Sequence, residues 1–251
     1  MSKSISQRGT LSGKPLIYGY SVYGTPLQIW MPERSKVDVL IFAGIHGEEP
    51  DSTVLLSRAL RSLRQPSSSC AVILCANPDG VQLGTRGNAN GVDLNRNFPS
   101  TNWTATPVTH SWNFNSDGRV ALSPGPRPGS EPEALALQQV VERLKPRYIV
   151  SVHSPLGLID DPENTDLGAL FSARSGLPRT VLANETTPGS FGSWSTDIGV
   201  ATITYELPNQ SVWDMLPVHL PILHDLLEKG LAVVGAEPRT LIRSVIANAP
   251  R

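Results

Sequence analysis

The chain has 251 residues, of which 39% are hydrophobic, 17% charged and 6% aromatic, which is enough for a sizeable buried core. Its 21 basic side chains face 22 acidic ones, for a formal net charge of −1, and this excludes a strong electrostatic case for nucleic acid or a polybasic membrane surface. Glycine and proline number 21 and 22, more than the average share of about 12% for the two together, an excess that points to long, rigid loops.

The opening segment, Met1–Ser21, lacks the apolar centre of a secretion signal, and no stretch approaches the length of a membrane span. Pro15–Gly24 and Pro26–Pro32 then read as a hairpin turning near Gly24-Thr25. Val37–Ile45 is continuously apolar, as a strand covered on both faces would be. A helix is expected over Glu49–Leu63 with Val54, Leu55, Leu60 and Leu63 inward, followed by a strand in CAVILCA. Cys70 and Cys75 in that run are five residues apart, so a strand would turn them to opposite faces. They read as packed, reduced thiols in a cytoplasmic protein.

Asn77-Pro78-Asp79-Gly80 has strong turn chemistry. From Asn77 to Gly129 no periodicity stands out, and a stretch of that length is uncommon in a compact domain unless it is functional or disordered. Ser130-Glu131-Pro132-Glu133 reads as a capping box opening a helix. Arg147–Val152 is a strand, Asp166–Ser175 a short helix, Thr180–Ala183 a short strand and Ala201–Leu207 a clear strand. A last helix is expected over Leu216–Ala232. The alternation predicts an α/β fold, one domain over residues 1–251, with a mixed, centrally parallel twisted β-sheet covered by helices on both faces.

In such sheets ligands gather at the carboxyl ends of the strands, and three strands end in unusual residues. Val37–Ile45 leads into His46-Gly47-Glu48-Glu49, Arg147–Val152 into His153, and Ala201–Leu207 carries Glu206. Imidazole and carboxylate are both zinc ligands, and a catalytic zinc takes three protein ligands plus an open position. His46-x-x-Glu49 with a distant His153 makes such a set, although HxxE by itself arises often by chance. Glu48 is shifted by one residue and is expected to point elsewhere.

Further pieces stand in order along residues 46–206: HGEE, NPDG, GVDLNRNFP at Gly91–Pro99, His153 after an apolar strand, and TYEL at Thr204–Leu207. In these the chain resembles the zinc carboxypeptidase family. The resemblance implies one Zn2+ held by His46, Glu49 and His153, with Glu206 as general base. It implies that Asn95 and Arg96 grip a terminal carboxylate, that Arg86 polarises the scissile carbonyl, and that Asp93 orients a ligand histidine. The family's mobile tyrosine has no counterpart in LANETTPG, and Tyr205 is expected to face away from the site.

The chain is most similar to small cytoplasmic bacterial members, which implies a short peptide substrate such as L-Ala-γ-D-Glu-meso-diaminopimelate. Asp160, Asp161, Asp197 and Ser154 are candidates to read the far end of the diamino acid, and Trp112 and Trp194 to wall the pocket. A peptide-tail deglutamylase, an N-acyl amino acid deacylase and an inactive zinc- or peptide-binding module stand as alternatives. Oligomeric state is left open.

Overall fold

The computed structural model describes residues 9–34, 36–111, 119–182 and 187–235. It opens with an antiparallel hairpin of β1 (Leu16–Tyr20) and β2 (Pro26–Ile29). β3 (Val39–Ala43), α1 (Pro50–Ser62) and β4 (Cys70–Ile73) follow. The middle of the chain holds a short α2 (Pro78–Leu83) and a small hairpin of β5 (Val108–Ser111) and β6 (Arg119–Leu122). Then come α3 (Pro132–Leu144), β7 (Tyr148–His153), β8 (Leu156–Asp160), α4 (Asp166–Ser175) and β9 (Arg179–Thr180). α5 (Phe191–Asp197), β10 (Ala201–Pro208) and α6 (Val212–Lys229) complete the order.

One six-stranded sheet, in the order β4-β3-β7-β10-β8-β9, organises these elements. β4, β3, β7 and β10 are parallel, β8 is antiparallel to β10, and β9 is parallel to β8. The expected mixed, centrally parallel α/β architecture is therefore present. Every residue of β3 is buried, because both sheet faces are covered and the run needs no polar alternation.

On one face Val39, Ile41, Val152, Ile203 and Tyr205 pack with Leu55 and Leu56 of α1 and Leu226 and Leu227 of α6. On the other, Leu40, Phe42 and Ile149 meet Leu137 and Val141 of α3 and Phe191 and Trp194 of α5. Burying each such side chain contributes roughly 1.5–3 kcal/mol, so the two layers together fix the strand registers. α6 continues through Pro217 and Pro221 because Met215, Ile222, Leu223 and Leu226 bury its inner stripe, which offsets the hydrogen bonds those prolines remove.

Several local expectations change. α1 turns Leu55 and Leu60 inward, with Leu63 just beyond it, as expected, and adds Ser52, Leu56 and Ala59 to that face, but Val54 is 39% exposed. Asn77 caps α2 instead of closing a simple turn, its side chain accepting from Gly80 N at 2.9 Å. α3 has no capping box, since Ser130 Oγ donates to Glu131 Oε1 and Glu133 accepts from Val22 N and Asn88. Cys70 and Cys75 are both free thiols, as read. Trp112 and Ala183 lie outside the described residues, as does the tail from residue 236.

Candidate active site

The four parallel strands aim their carboxyl ends at one edge of the sheet. His46 sits three residues beyond β3, His153 is the last residue of β7, and Glu206 pairs with His153 in the β7–β10 register. Glu49 is the residue before α1, and Pro50 opens that helix, a position where a missing N–H costs nothing. The loop between His46 and Glu49 folds tightly, with Glu49 N donating to His46 O at 3.3 Å. Gly47 makes this approach possible: a Cβ there would stand 2.0 Å from the carbonyl carbon of Gly80. Asn77 ties the same loop down by donating from Nδ2 to Ile45 O at 3.2 Å.

His46, Glu49 and His153 converge, all three buried, with their ligand atoms within 4.8 Å of one another. The Nδ1 atoms of His46 and His153 lie 2.7 and 3.1 Å from the two oxygens of Glu49. Burial alone would raise the Glu49 carboxyl, but the two histidines outweigh it and hold it well below the carboxylate range. Two imidazole nitrogens and one ionised carboxylate on a shared point are a donor set that fits zinc.

Asp93 supports this trio from behind. Its Oδ1 lies 3.3 Å from His46 Nε2 and its Oδ2 accepts from Arg86 Nε at 2.9 Å. That fully buried carboxylate also caps the short 3-10 turn Leu94–Arg96 by accepting from Asn95 N at 2.9 Å. Burial opposes its ionisation, but Arg86 and His46 hold its carboxyl well below the ordinary value. A carboxylate on the far nitrogen of a ligand histidine fixes its tautomer and ring plane. Arg86 in turn reaches towards Glu48 and Glu49, at 3.4 and 3.5 Å from Nη1.

A cleft of about 550 Å³ opens over the trio, within the range of small-ligand sites. His46, Glu49, His153, Arg86, Asn95, Arg96 and Glu206 all line it. Asn95 Oδ1 is taken by Phe191 N at 2.9 Å. Arg96 donates to Asn95 O from Nη1 at 2.6 Å, its buried Nε has no hydrogen-bond partner, and it forms no ion pair among the described residues. Burial lowers its hold on the proton, Asp93 opposing and Arg86 adding to the effect. A planar cation in that condition is matched by a carboxylate, which it can bind in bidentate fashion. Burial pushes the Glu206 carboxyl up to about 7, with His153 opposing and Glu49 adding to the shift. Its Oε2 faces Leu156 N at 3.5 Å.

The zinc carboxypeptidase profile matches residues 16–159. The chain belongs to the zinc carboxypeptidase family. It is 46% identical over 206 residues to murein peptide amidase A of Escherichia coli (strain K12), covering 81% of this chain and 85% of that one. With murein peptide amidase A of Vibrio campbellii it shares 40% identity over 226 residues, 89% and 91% of the two chains. The crystal structure of a murein-tripeptide amidase from Escherichia coli O157 superposes with a TM-score of 0.84 at 42% identity, covering 90% of this chain and 96% of that one. The protein is a peptide hydrolase of this zinc carboxypeptidase family, and His46, Glu49 and His153 fit the family's single zinc.

Some cleft residues of this zinc carboxypeptidase escaped the sequence reading. Glu48 lines the cleft after all, its Oε1 2.8 Å from His110 Nε2, because the sharp loop turns both Glu48 and Glu49 inward. His110 arrives on the β5 strand, which no periodicity announced. Of the four candidates for the far end of the diamino acid, Asp160 and Ser154 line the cleft. Asp161 instead accepts from Thr165 N at 2.8 Å, and Asp197 from Thr101 N at 2.6 Å. Trp194 packs in the core against Phe98 and Phe191. Tyr205 does turn away, stacking on Phe171 with its hydroxyl 2.8 Å from His219 Nδ1.

Proposed function

We propose that this protein hydrolyses the amide between γ-D-glutamate and meso-diaminopimelate in the murein tripeptide L-Ala-γ-D-Glu-meso-diaminopimelate, releasing the diamino acid. The observation that carries this reading is the half-buried Arg96 guanidinium, with no ion-pair partner among the described residues and a buried Nε without a hydrogen bond, in the same cleft as the His46–Glu49–His153 trio. It supplies a seat for the free carboxylate of a leaving residue. The extent of similarity to proteins named murein peptide amidase A favours this peptide over other family substrates.

Each residue then has a task. His46, Glu49 and His153 would hold zinc, which supplies a Lewis acid and lowers the pKa of water towards about 7. Arg96 and Asn95 clamp the terminal carboxylate, fixing the scissile amide over the trio. Glu206 takes the proton of the attacking water and passes it to the departing amine. Arg86 faces the developing oxyanion, its guanidinium already oriented by Asp93. Asp93 positions His46 and Arg86 without meeting the substrate.

In this reading the whole chain works as one catalytic domain on a small peptide, in the cytoplasm, with no role for nucleic acid or membrane. Support comes from the single sheet with its two covered faces, from the near-neutral charge and from two unpaired thiols. Burial pushes those thiols up to about 12 for Cys70 and about 11 for Cys75, so both are protected from oxidation chemistry that needs a thiolate. No helix among the described residues is long and apolar enough to cross a membrane.

The test is direct. Zinc-loaded protein is incubated with the tripeptide, and free diaminopimelate is followed by mass spectrometry beside glutamylated peptide tails and N-acyl amino acids. Release of diaminopimelate is expected. An intact tripeptide, with ordinary peptides or acyl amino acids cleaved, would overturn the substrate assignment.

A further inference from the structure

The cleft continues past the reacting groups onto a stretch of sheet that the hydrolysis itself does not use. Alternation along β10 puts Thr204 and Thr202 on the face that carries Glu206, and along β7 it puts Ser151 on the face that carries His153. The β8–β10 register sets Asp160 directly opposite Thr204. All four residues line the cleft. The same face of β7 is apolar one step further on, where Ile149 joins the core. Polarity on this face therefore stops where the cleft stops.

These polar groups are short of partners. Ser151 and Thr202 are 2% and 3% exposed, and neither hydroxyl has a hydrogen-bond partner among the described residues. Buried hydroxyls ordinarily find one. Asp160 spends Oδ1 on Leu182 N at 2.8 Å. Arg179, the cation nearby, pairs with the neighbouring Asp161 at 3.6 Å, and no cation among the described residues pairs with Asp160. Burial raises the Asp160 carboxyl above its ordinary value, with Glu163 and Asp161 adding to the shift and the Leu182 N–H opposing it. The floor thus holds one anion without a counter-ion and two hydroxyls without acceptors.

Thr204 and Thr202 stand about 7 and 13 Å along the strand from Glu206. In a diaminopimelate the far amino-acid centre lies four C–C bonds, about 5 Å, beyond the near one. A residue whose amide nitrogen leaves beside Glu206 therefore brings its far centre over the row of Thr204, Asp160 and Ser151, and the carboxylate on that centre extends about 2.5 Å further, towards Thr202.

We propose that Asp160, with Ser151 and Thr202, selects a leaving residue whose side chain ends in a zwitterionic amino-acid group. The Asp160 carboxylate takes the distal ammonium, and the two hydroxyls donate to the distal carboxylate. This rests on the reading of the substrate given above and names the residues that decide it.

The test uses zinc-loaded protein and three peptides, L-Ala-γ-D-Glu followed by meso-diaminopimelate, L-lysine or L-norleucine. Wild type should prefer them in that order. Asp160→Asn keeps an acceptor for Leu182 N. It should lower kcat/KM roughly 10- to 100-fold on the diaminopimelate and lysine peptides, mainly through KM, and change norleucine by less than about 2-fold. Thr202→Val should weaken the diaminopimelate peptide and spare the lysine one. An equal loss on all three peptides, or none, overturns the role of Asp160. Equal use of norleucine by wild type overturns the whole proposal.

The same three leaving residues on a benzoyl-glycyl scaffold separate the two readings. Cleavage there, with the γ-D-Glu series intact, defeats the substrate assignment, while the lysine-to-norleucine ratio still reports on Asp160. Calorimetry of free diaminopimelate, lysine and norleucine against wild type and Asp160→Asn repeats the comparison without turnover.

Discussion

Asp93 Oδ2 accepts from Arg86 Nε at 2.9 Å while its other oxygen stands 3.3 Å from His46 Nε2, so a histidine of the candidate zinc trio and the arginine proposed to face the oxyanion share one buried support. Asp93→Asn should therefore weaken zinc affinity and turnover together, by about 10- to 100-fold each. Metal titration and steady-state rates on the same samples check this. Normal zinc affinity with normal turnover would show that Asp93 serves only to cap the 3-10 turn.

Removing a member of the trio has a sharper outcome. His46→Ala, Glu49→Ala and His153→Ala should each abolish stoichiometric zinc and activity, since a catalytic site of this kind has only three protein ligands. Chelation of the wild type should do the same reversibly and lower its Tm, because a ligand that binds only the folded state stabilises it. Elemental analysis and thermal melts measure both. Full zinc occupancy in any of the three variants would break the ligand assignment.

Glu206→Gln should retain zinc and lose about 10²- to 10⁴-fold in kcat, the usual span for removing a general base. The pH dependence follows from its surroundings. Burial pushes the metal-free Glu206 carboxyl up to about 7, whereas a nearby dication favours the carboxylate form. The base is active when deprotonated, so kcat/KM of the zinc enzyme should fall on the acid side at a pH below about 7. Infrared titration of the carboxyl with and without zinc should show the downward shift. An unchanged acid limb in Glu206→Gln would remove Glu206 from the reaction.

Arg96 has no ion-pair partner among the described residues, so its loss should be felt chiefly by substrate. Arg96→Ala should raise KM for peptides with a free terminal carboxylate, costing about 2–4 kcal/mol of transition-state binding. Amidated peptides should be affected far less. Equal losses on both would contradict a carboxylate clamp.

Gly47→Ala tests the packing that places His46. The added Cβ would meet Gly80 backbone at 2.0 Å, and backbone cannot step aside as a flexible side chain would. A destabilisation of about 1–3 kcal/mol, with weakened zinc binding, is expected from denaturant melts and metal titration. An unchanged melt would show that the loop has room to spare.

His46, Glu49, His153 and Glu206 stood out as unusual residues at strand ends, whereas the roles expected of Arg86, Asp93, Asn95 and Arg96 came only from the resemblance to the zinc carboxypeptidase family. The covered strands β3 and β10 were legible too, since they are apolar throughout. What stayed hidden was short or turned by tertiary contacts. β8 is five residues with no alternation that stands out, and β5 and α2 are four and six residues long, too brief for periodicity to speak. Glu48 was expected to point away because it is shifted by one residue from Glu49. It sits in a tight loop that turns both neighbouring carboxylates inward. Ser151 and Thr202 looked like ordinary strand residues; only the pairing of three strands shows that they underlie the cleft.

With Glu206 as the proposed base, the β7–β10 register, which sets Glu206 beside His153, would couple hydrolysis to correct assembly of the sheet. β10 presents Thr204 and Glu206 to one side and Tyr205 and Leu207 to the other. A slip of one position would drive a carboxylate into the apolar layer and put a tyrosine or leucine where the proton must be taken. The candidate metal ligands are all synthesised before residue 154, yet the proposed base, Glu206, arrives more than fifty residues later. A nascent chain can therefore assemble a metal-binding corner and still be inert until its last central strand has docked in register.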